Sequence, residues 1–149
     1  MSSFRQIIYH VVLSTYGHEP RLILDHPQEF YAYIGGILRK QQCHPHAING
    51  VSDHIHLLFD LHPTVALSGL IKDIKLASSK WMKEKKVAPL FQRWSSGYGA
   101  FTCSVKDLDT VTQYVRRQQV HHQNESFLDE YKRLLTEHRI PFEEQYLMG

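Results

Sequence analysis

Cysteine is scarce in this 149-residue chain, and long apolar runs are missing altogether. Cys43 and Cys103 form no CxxC pattern, so we interpret both as reduced packing residues rather than as redox or zinc-binding groups. No segment approaches the roughly 18 consecutive apolar residues of a transmembrane helix. The first residues also lack the apolar core of a signal peptide, and we therefore expect a cytoplasmic protein without a membrane partner.

Excess charge of one sign is small as well, because the net charge is only +2. With 42% hydrophobic and 21% charged residues, the chain has the composition of one globular domain, and we expect residues 1–149 to form it. The charge is unevenly placed, since many lysines fall between residues 72 and 86. Such a run usually indicates a solvated helix face, and a phosphate-facing surface is the alternative.

The apolar and turn-forming residues predict the order β-α-β-β-α-β, followed by two helices. The strands are predicted at about residues 4–14, 46–51, 53–59 and 97–104. Helices are predicted from Pro27 to about Gln42, from Thr64, from about residue 106 to His122, and after a capping box at Ser126. This order predicts an α+β fold of the ferredoxin-like or RRM-like split type, an antiparallel sheet with helices on one face.

The segment from Asp53 to Phe59 predicts a β-strand on which two histidines share one face. Because side chains alternate along a strand, His54 and His56 lie on one side and the apolar residues lie on the other. Two imidazoles on a rigid strand supply part of a metal site. The pattern also occurs by chance, and a structural pair of edge histidines is the default interpretation. For His10, in the first strand, we favour a hydrogen-bonded core histidine over a DNA or metal role.

On the helix predicted over residues 106–122, Tyr114 and Gln118 are four residues apart and project from the same side. Such a pair is unremarkable by itself. If this helix packs beside the two histidines, Gln118 supplies a carbonyl oxygen as the third ligand, and the mixed set suits Mg²⁺ or Mn²⁺. Tyr114 then lies one turn from the metal, where its phenol can act as the nucleophile of a transesterification.

The sequence around these histidines carries a resemblance to a known family. Residues 53–58, Asp-His-Ile-His-Leu-Leu, look like the histidine–hydrophobic–histidine (HUH) motif of single-strand DNA nucleases. The chain as a whole resembles the small single-tyrosine transposases of the insertion-sequence 200/605 group from about residue 4 to 147. The matching landmarks are residues 9–12, 48–56, 74–79, 97–101 and 114–122, and the region of Ser126 and Phe127.

The resemblance implies a metal-dependent transposase that cleaves and rejoins single-stranded DNA at hairpin-marked element ends. It implies that Tyr114 attacks the scissile phosphate, forms a 5′-phosphotyrosine and releases a 3′-OH. The implied ligands of Mg²⁺ or Mn²⁺ are His54, His56 and Gln118. The implied partners are DNA hairpins and a second copy of the chain. The expected hairpin-contacting groups are Lys72, Lys75, Lys80, Lys83 and Arg117.

Two departures from the family pattern concern DNA contacts more than catalysis. Residues 13–16 read Leu-Ser-Thr-Tyr where the family often has Trp or Phe and a Lys, and residues 94–96 read Trp-Ser-Ser where it often has Trp-Gln. Two alternatives stay open. One is a domesticated relative that nicks palindromic-repeat hairpins, and the other is a non-enzymatic single-strand nucleic-acid-binding module, which would expose aromatic residues on the sheet face.

Overall fold

The computed structural model describes residues 3–147 and contains one sheet with helices packed against it. The strands are β1 (Ile8–Ser14), β2 (His44–Val51), β3 (His54–Asp60) and β4 (Gly99–Cys103). The helices are α1 (Pro27–Lys40), α2 (Leu67–Lys85), α3 (Leu108–Arg116), α4 (Gln118–His121) and α5 (Phe127–Glu137). Short 3₁₀ turns occur at Tyr16–His18, Val105–Asp107 and Glu144–Tyr146.

The four strands form an antiparallel sheet in the order β2-β3-β1-β4. The histidine strand β3 is therefore interior, with β2 on one side and β1 on the other. The predicted α+β class and the split β-α-β-β-α-β arrangement are confirmed. An interior strand is held on both edges by backbone hydrogen bonds, so side chains on β3 have fixed positions.

The helices α1 and α2 pack on one face of the sheet, where the largest cluster of buried apolar side chains lies. From β3 this cluster takes Ile55, Leu57 and Phe59, none of which is exposed. The helices and the remaining strands contribute Phe30, Ile34, Leu38, Leu70, Ile71, Ile74, Val11 and Leu13. Burying one such side chain contributes about 1.5–3 kcal/mol, so this row fixes which face of β3 turns towards α1 and α2.

The C-terminal helices cover the second face of the same sheet. Phe127, Leu134 and Leu135 of α5 pack against Val12 and Phe101. In a neighbouring cluster, Val115 of α3 packs against Ile8 and Leu58. The face of β3 that carries the histidines is therefore enclosed between the sheet and α3, α4 and α5.

The predicted helix over residues 106–122 is corrected by the structure, which divides it into α3 and α4. The backbone leaves helical geometry at Arg117, with φ −102° and ψ 22°. Asn49 of β2 explains the break, because its Nδ2 lies 3.0 Å from the carbonyl oxygens of Val115 and Arg116. In a continuous helix these carbonyls would accept hydrogen bonds from the next turn.

The two predicted helix caps have different outcomes. Ser126 caps α5, since its hydroxyl accepts a hydrogen bond of 3.2 Å from the backbone N–H of Asp129. The prediction that Thr64 caps the second helix is wrong, because α2 begins at Leu67. Thr64 instead lies in a turn, where its hydroxyl is 2.7 Å from Nδ1 of His62. The helices within residues 3–147 include none with the length and apolar character needed to cross a bilayer.

Candidate active site

The two histidines of β3 are the floor of a buried polar cluster. His54 and His56 are both completely inaccessible to solvent. They share the strand face opposite the α1/α2 core, as the alternation of the sequence predicts. Their rings lie edge to face with centroids 4.9 Å apart. The sheet thus holds two imidazoles side by side beneath the C-terminal helices.

A carboxylate from α5 occupies the centre of this cluster. Oε1 of Glu130 lies 3.1 Å from Nε2 of His54, of His56 and of His122. The side chain of Glu130 is fully buried. Sequence reasoning did not single it out, although Glu130 lies three residues after Phe127 and four before Leu134, on the apolar stripe of the helix. A carboxylate on an apolar stripe is a usable signal, because a buried charge needs partners.

Gln118 lies where the sequence places it, beside the histidines. Its Oε1 is 3.1 Å from Nε2 of His54 and 2.9 Å from Nε2 of His122. Its side-chain amide donates to the backbone carbonyl of Tyr114 at 3.3 Å. The break at Arg117 starts α4 at Gln118 and carries this side chain into the cluster. Gln118 is completely buried.

Each imidazole of the cluster is also held through its other nitrogen. Nδ1 of His54 lies 2.7 Å from Oδ1 of Asp53, and Nδ1 of His122 lies 2.6 Å from the backbone carbonyl of Glu125. Nδ1 of His56 is 2.7 Å from Nε2 of His10, which is itself buried and hydrogen-bonded, as we favoured from the sequence. Partners of this kind fix the ring orientation and tautomer of metal-binding histidines.

The hydroxyl of Tyr114 lies between two charged groups of α5. It donates a hydrogen bond to Oε2 of Glu130, and it accepts one of 2.8 Å from Nη2 of Arg133. Arg133 is itself held by Glu125 at 3.0 Å and by Glu137 at 3.2 Å. One carboxylate therefore contacts the imidazoles with one oxygen and the phenol with the other.

Burial and hydrogen bonding shift the ionisation of these groups in opposite directions. Burial raises the pKa of Tyr114 most, and the hydrogen bond to Glu130 raises it further. Arg133 opposes this rise. Burial alone would raise the pKa of Glu130, but hydrogen bonds from the three imidazoles hold it far below its usual range. Burial would lower the pKa of His54, but hydrogen bonds to Asp53 and Glu130 raise it to about 8.

The second histidine of β3, His56, behaves differently. Burial lowers the pKa of His56 to about 4, and its hydrogen bond to Glu130 offsets this only in part. His56 is therefore a neutral imidazole at physiological pH, which is the form that binds a metal.

The donor atoms of the cluster fit a divalent metal ion. The ligand atoms of His54, His56, His122 and Glu130 all lie within 4.8 Å of one another. Imidazole nitrogens and carboxylate oxygens are ordinary ligands of divalent metals, and the side chains are already oriented by their outer hydrogen bonds. Gln118 adds a carbonyl oxygen at the same place. The structure therefore supports a metal at the predicted histidines.

An open depression of about 660 Å³ lies in front of Tyr114. It is lined by Asp109, Thr110, Gln113, Tyr114, Arg117, Val120 and His121. Arg117, one of the predicted DNA-contacting residues, is exposed at this depression. A ligand can therefore approach Tyr114 from solvent here, with the cation of Arg117 at the same depression.

The predicted basic residues of α2 lie away from this depression, because α2 covers the opposite face of the sheet. Lys72 and Lys83 are exposed there. Lys80, also exposed, lies 3.9 Å from Glu84. Lys75 differs, since its ammonium donates to the backbone carbonyls of Ser95 and Gly97, each at 2.7 Å. Its contacts hold the segment before β4, and the structure does not bring it to the histidine cluster.

Comparisons with known proteins give a family and a shared fold for this chain. The family model described as IS200-like transposase matches residues 3–118. No curated protein matches the chain. A solved candidate transposase of Deinococcus radiodurans is similar at a TM-score of 0.60 and 21% identity, covering 79% of this chain and 98% of that one. A REP-associated tyrosine transposase bound to a REP hairpin is similar at 0.60 and 16%, covering 82% and 74%. At these identities the two structures show a shared fold.

Proposed function

The chain belongs to the IS200-like transposase family, and on this basis we propose that it cleaves and rejoins single-stranded DNA through a phosphotyrosine at Tyr114. The observation that carries the proposal is the position of the Tyr114 hydroxyl. It lies between Glu130 and Arg133, on the helix that leads directly to the buried histidine and glutamine cluster. Within one protomer, the proposed nucleophile and the proposed metal ligands are already close together.

The proposed reaction is a transesterification at a scissile phosphodiester. The phenolic oxygen of Tyr114 attacks phosphorus, a Tyr–O–P bond forms and the bond to the 3′-oxygen breaks. The phenolic proton leaves along its hydrogen bond to Oε2 of Glu130 and is released to solvent. The departing 3′-oxygen takes a proton from solvent and becomes a 3′-OH. Attack of a 3′-OH on the phosphotyrosine reverses the steps and joins two strands.

Arg133 supports the attack electrostatically. Its guanidinium is 2.8 Å from the phenolic oxygen and about one-third exposed, so it faces both the nucleophile and the solvent side of the site. A cation there stabilises the negative charge that develops on oxygen as the O–H bond breaks. The exposed part of the guanidinium can also contact a phosphate oxygen.

A divalent ion, Mg²⁺ or Mn²⁺, held by His54, His56 and Gln118 would supply Lewis-acid polarisation of the scissile phosphate. The chain's own contribution is to fix these donors. His54 and His56 are fixed by the interior strand and by their outer partners Asp53 and His10. Gln118 is fixed by its hydrogen bond to the carbonyl of Tyr114.

The proposed substrate is single-stranded DNA that carries a hairpin near the element end, bound by a homodimer. The resemblance to single-tyrosine transposases and the exposed lysines of α2 support this part of the proposal. Within one protomer, Tyr114 and Gln118 already lie beside their own histidines. Light scattering after size exclusion, with and without hairpin DNA, measures the stoichiometry.

The sheet faces argue against the alternative of a binding module. Such modules stack bases on aromatic residues exposed on the sheet. Here α1 and α2 cover one face, and the C-terminal helices cover the other. His54 and His56 are inaccessible on that second face. A nucleic acid would therefore meet the depression at Tyr114 before it met the sheet.

The test is covalent trapping on labelled oligonucleotides. Single-stranded hairpins from the DNA flanking the coding sequence, labelled at either end, are incubated with Mg²⁺ or Mn²⁺ and separated on a denaturing gel. We expect a protein–DNA band with the 3′-label, a shorter free product with the 5′-label, and loss of both in Tyr114→Phe. The matched control is Tyr131→Phe, a tyrosine packed against Phe127, which should form the adduct normally.

The outcomes separate the remaining functions. Hairpin binding without any adduct would contradict the proposal and indicate a binding protein. An adduct that never transfers its strand to a second oligonucleotide would indicate the hairpin nickase instead. Joined product that depends on Tyr114 supports the transposase.

A further inference from the structure

We propose that Glu130 and His122 are metal ligands in addition to the predicted set, which gives a site of three imidazoles, one carboxylate and one amide oxygen. This inference deepens the metal site of the proposed function and rests on it. Both residues lie beyond residue 118, where the family match ends. The added ligands therefore come from the C-terminal segment of this chain, on α5 and at the end of α4.

The argument begins with the tautomers of two histidines. Nδ1 of His54 faces a carboxylate oxygen of Asp53, and Nδ1 of His122 faces the backbone carbonyl of Glu125. Both partners are acceptors only, so each Nδ1 must carry the hydrogen. A neutral imidazole with its hydrogen on Nδ1 has a bare lone pair on Nε2.

Both lone pairs face oxygen atoms of Glu130 and Gln118, and neither oxygen carries a hydrogen that it could donate. Nε2 of His54 and Nε2 of His122 each lie 3.1 Å from Oε1 of Glu130. The same two nitrogens lie 3.1 and 2.9 Å from Oε1 of Gln118, whose amide nitrogen is turned towards the carbonyl of Tyr114. Four electron-rich atoms therefore converge, and either protons on the Nε2 atoms or a cation at their centre must separate them. The metal cation is the solution that we propose.

The third histidine joins the same centre. Nε2 of His56 also lies 3.1 Å from Oε1 of Glu130, and its other nitrogen contacts His10. Burial of the whole group makes an uncompensated carboxylate costly, so Glu130 needs positive charge close by. One metal ion bound to Oε1 and to the imidazoles supplies that charge and leaves Oε2 on the hydroxyl of Tyr114.

The donor chemistry then selects among metals. Mg²⁺ prefers oxygen ligands and retains water. Imidazole binds Zn²⁺ more strongly than Mn²⁺, and it binds Mn²⁺ more strongly than Mg²⁺. With three nitrogens among five donors, we expect Zn²⁺ and Mn²⁺ to bind more tightly than Mg²⁺. Of the two ions that the family resemblance implies, Mg²⁺ and Mn²⁺, we therefore expect Mg²⁺ to bind this chain more weakly.

The test measures metal binding without DNA. The 149-residue chain is treated with chelator and titrated with MnCl₂, ZnCl₂ and MgCl₂ by isothermal calorimetry. We expect one site per chain, with Mg²⁺ at least roughly tenfold weaker than Mn²⁺. Glu130→Gln keeps the size of the side chain and should weaken Mn²⁺ binding on the order of 100-fold. The matched control is Asp129→Asn, the exposed neighbour on α5, which should bind as the wild type does.

A second variant covers the case in which Glu130→Gln does not fold, as judged by circular dichroism. His122→Gln removes a side chain at the rim of the cluster and should also weaken Mn²⁺ binding, while His26→Gln on the exposed surface should not. Wild-type affinity in whichever variants fold would overturn the inference. A wild type that binds no metal would also overturn the inference, because protons on the imidazoles would then separate the converging nitrogen and oxygen atoms. Either result leaves adduct formation at Tyr114 to be judged separately on the gel.

Discussion

At the scale of single residues, the phenol of Tyr114 has two neighbours with opposite effects. Glu130 accepts its hydrogen bond and stabilises the protonated form, whereas Arg133 stabilises the ionised form. The hydrogen bonds to Glu125 and Glu137 favour the charged form of Arg133 and raise its pKa despite partial burial. The proposed nucleophile is therefore held neutral, with a permanent cation in contact with the oxygen that would lose its proton.

Replacing Arg133 tests this balance. In Arg133→Gln the charged hydrogen bond to the phenolic oxygen is lost, and such bonds contribute about 1.5–3 kcal/mol. If that contribution is made in the transition state, adduct formation slows roughly 10- to 100-fold. The measurement is the single-turnover rate of adduct formation at saturating DNA. Lys132→Gln removes the adjacent cation, which pairs with Glu144, and should keep the wild-type rate. Equal rates for both variants would show that Arg133 only holds α5 together.

The sequence predicts the placement of the histidines on β3, but it does not predict the role of residues on α5. His54 and His56 alternate with Ile55 and Leu57, and that alternation suffices to place both imidazoles on one face. The role of Glu130 depends on α5 folding back over the sheet, and a local pattern cannot specify this contact between distant segments. For the same reason, the sequence did not predict a role for His122, although it follows Gln118 by one helical turn.

At the scale of elements, the break between α3 and α4 sets the site. A continuous amphipathic helix is what the local sequence predicts, since nothing within residues 106–122 is a helix breaker. The break is imposed by Asn49 of β2, whose side chain bonds two helix carbonyls and exchanges hydrogen bonds with Gln119. A tertiary contact has overridden helix propensity here, so sequence periodicity could not reveal it.

Asn49→Ala tests the importance of this contact. The change leaves the carbonyls of Val115 and Arg116 without their buried donor, which should lower the free energy of unfolding by about 2–3 kcal/mol. We also expect weaker metal binding, because Gln118 is no longer directed towards the histidines. The control is Asn124→Ala, an exposed amide beyond α4, with an expected change within about 0.5 kcal/mol. Urea denaturation gives both values, and similar stabilities would contradict this account of the break.

At the scale of the whole molecule, the sheet separates two surfaces. The Tyr114 depression opens on the side of α3 and α4, while the lysines of α2 lie on the other side. If α2 binds the hairpin and Tyr114 cleaves the strand, as proposed, the DNA must pass around the edge of the sheet, or one protomer must bind the hairpin while its partner cleaves. The element order and the sheet class followed from the sequence, but the enclosure of the histidine face by the C-terminal helices did not.

The exposed lysines provide the test at this scale. We expect the double variant Lys72→Gln, Lys83→Gln to bind hairpin DNA more weakly, with a salt dependence reduced by about two counterions. The rate of adduct formation at saturating DNA should stay unchanged. Lys75→Gln is the contrasting variant, since Lys75 is tied to the carbonyls of Ser95 and Gly97 and should affect thermal stability instead. An unchanged salt slope in the double variant would place the hairpin elsewhere.

The measurement that bears most directly on the central claim is the site of DNA attachment. The trapped adduct is digested with nuclease and trypsin, and the remaining nucleotide is located by tandem mass spectrometry. We expect it on Tyr114, in the peptide that follows Lys106 and ends at Arg116. A nucleotide on Tyr131, which lies in the separate peptide ending at Lys132, would contradict the assignment of the nucleophile and of the site built around it.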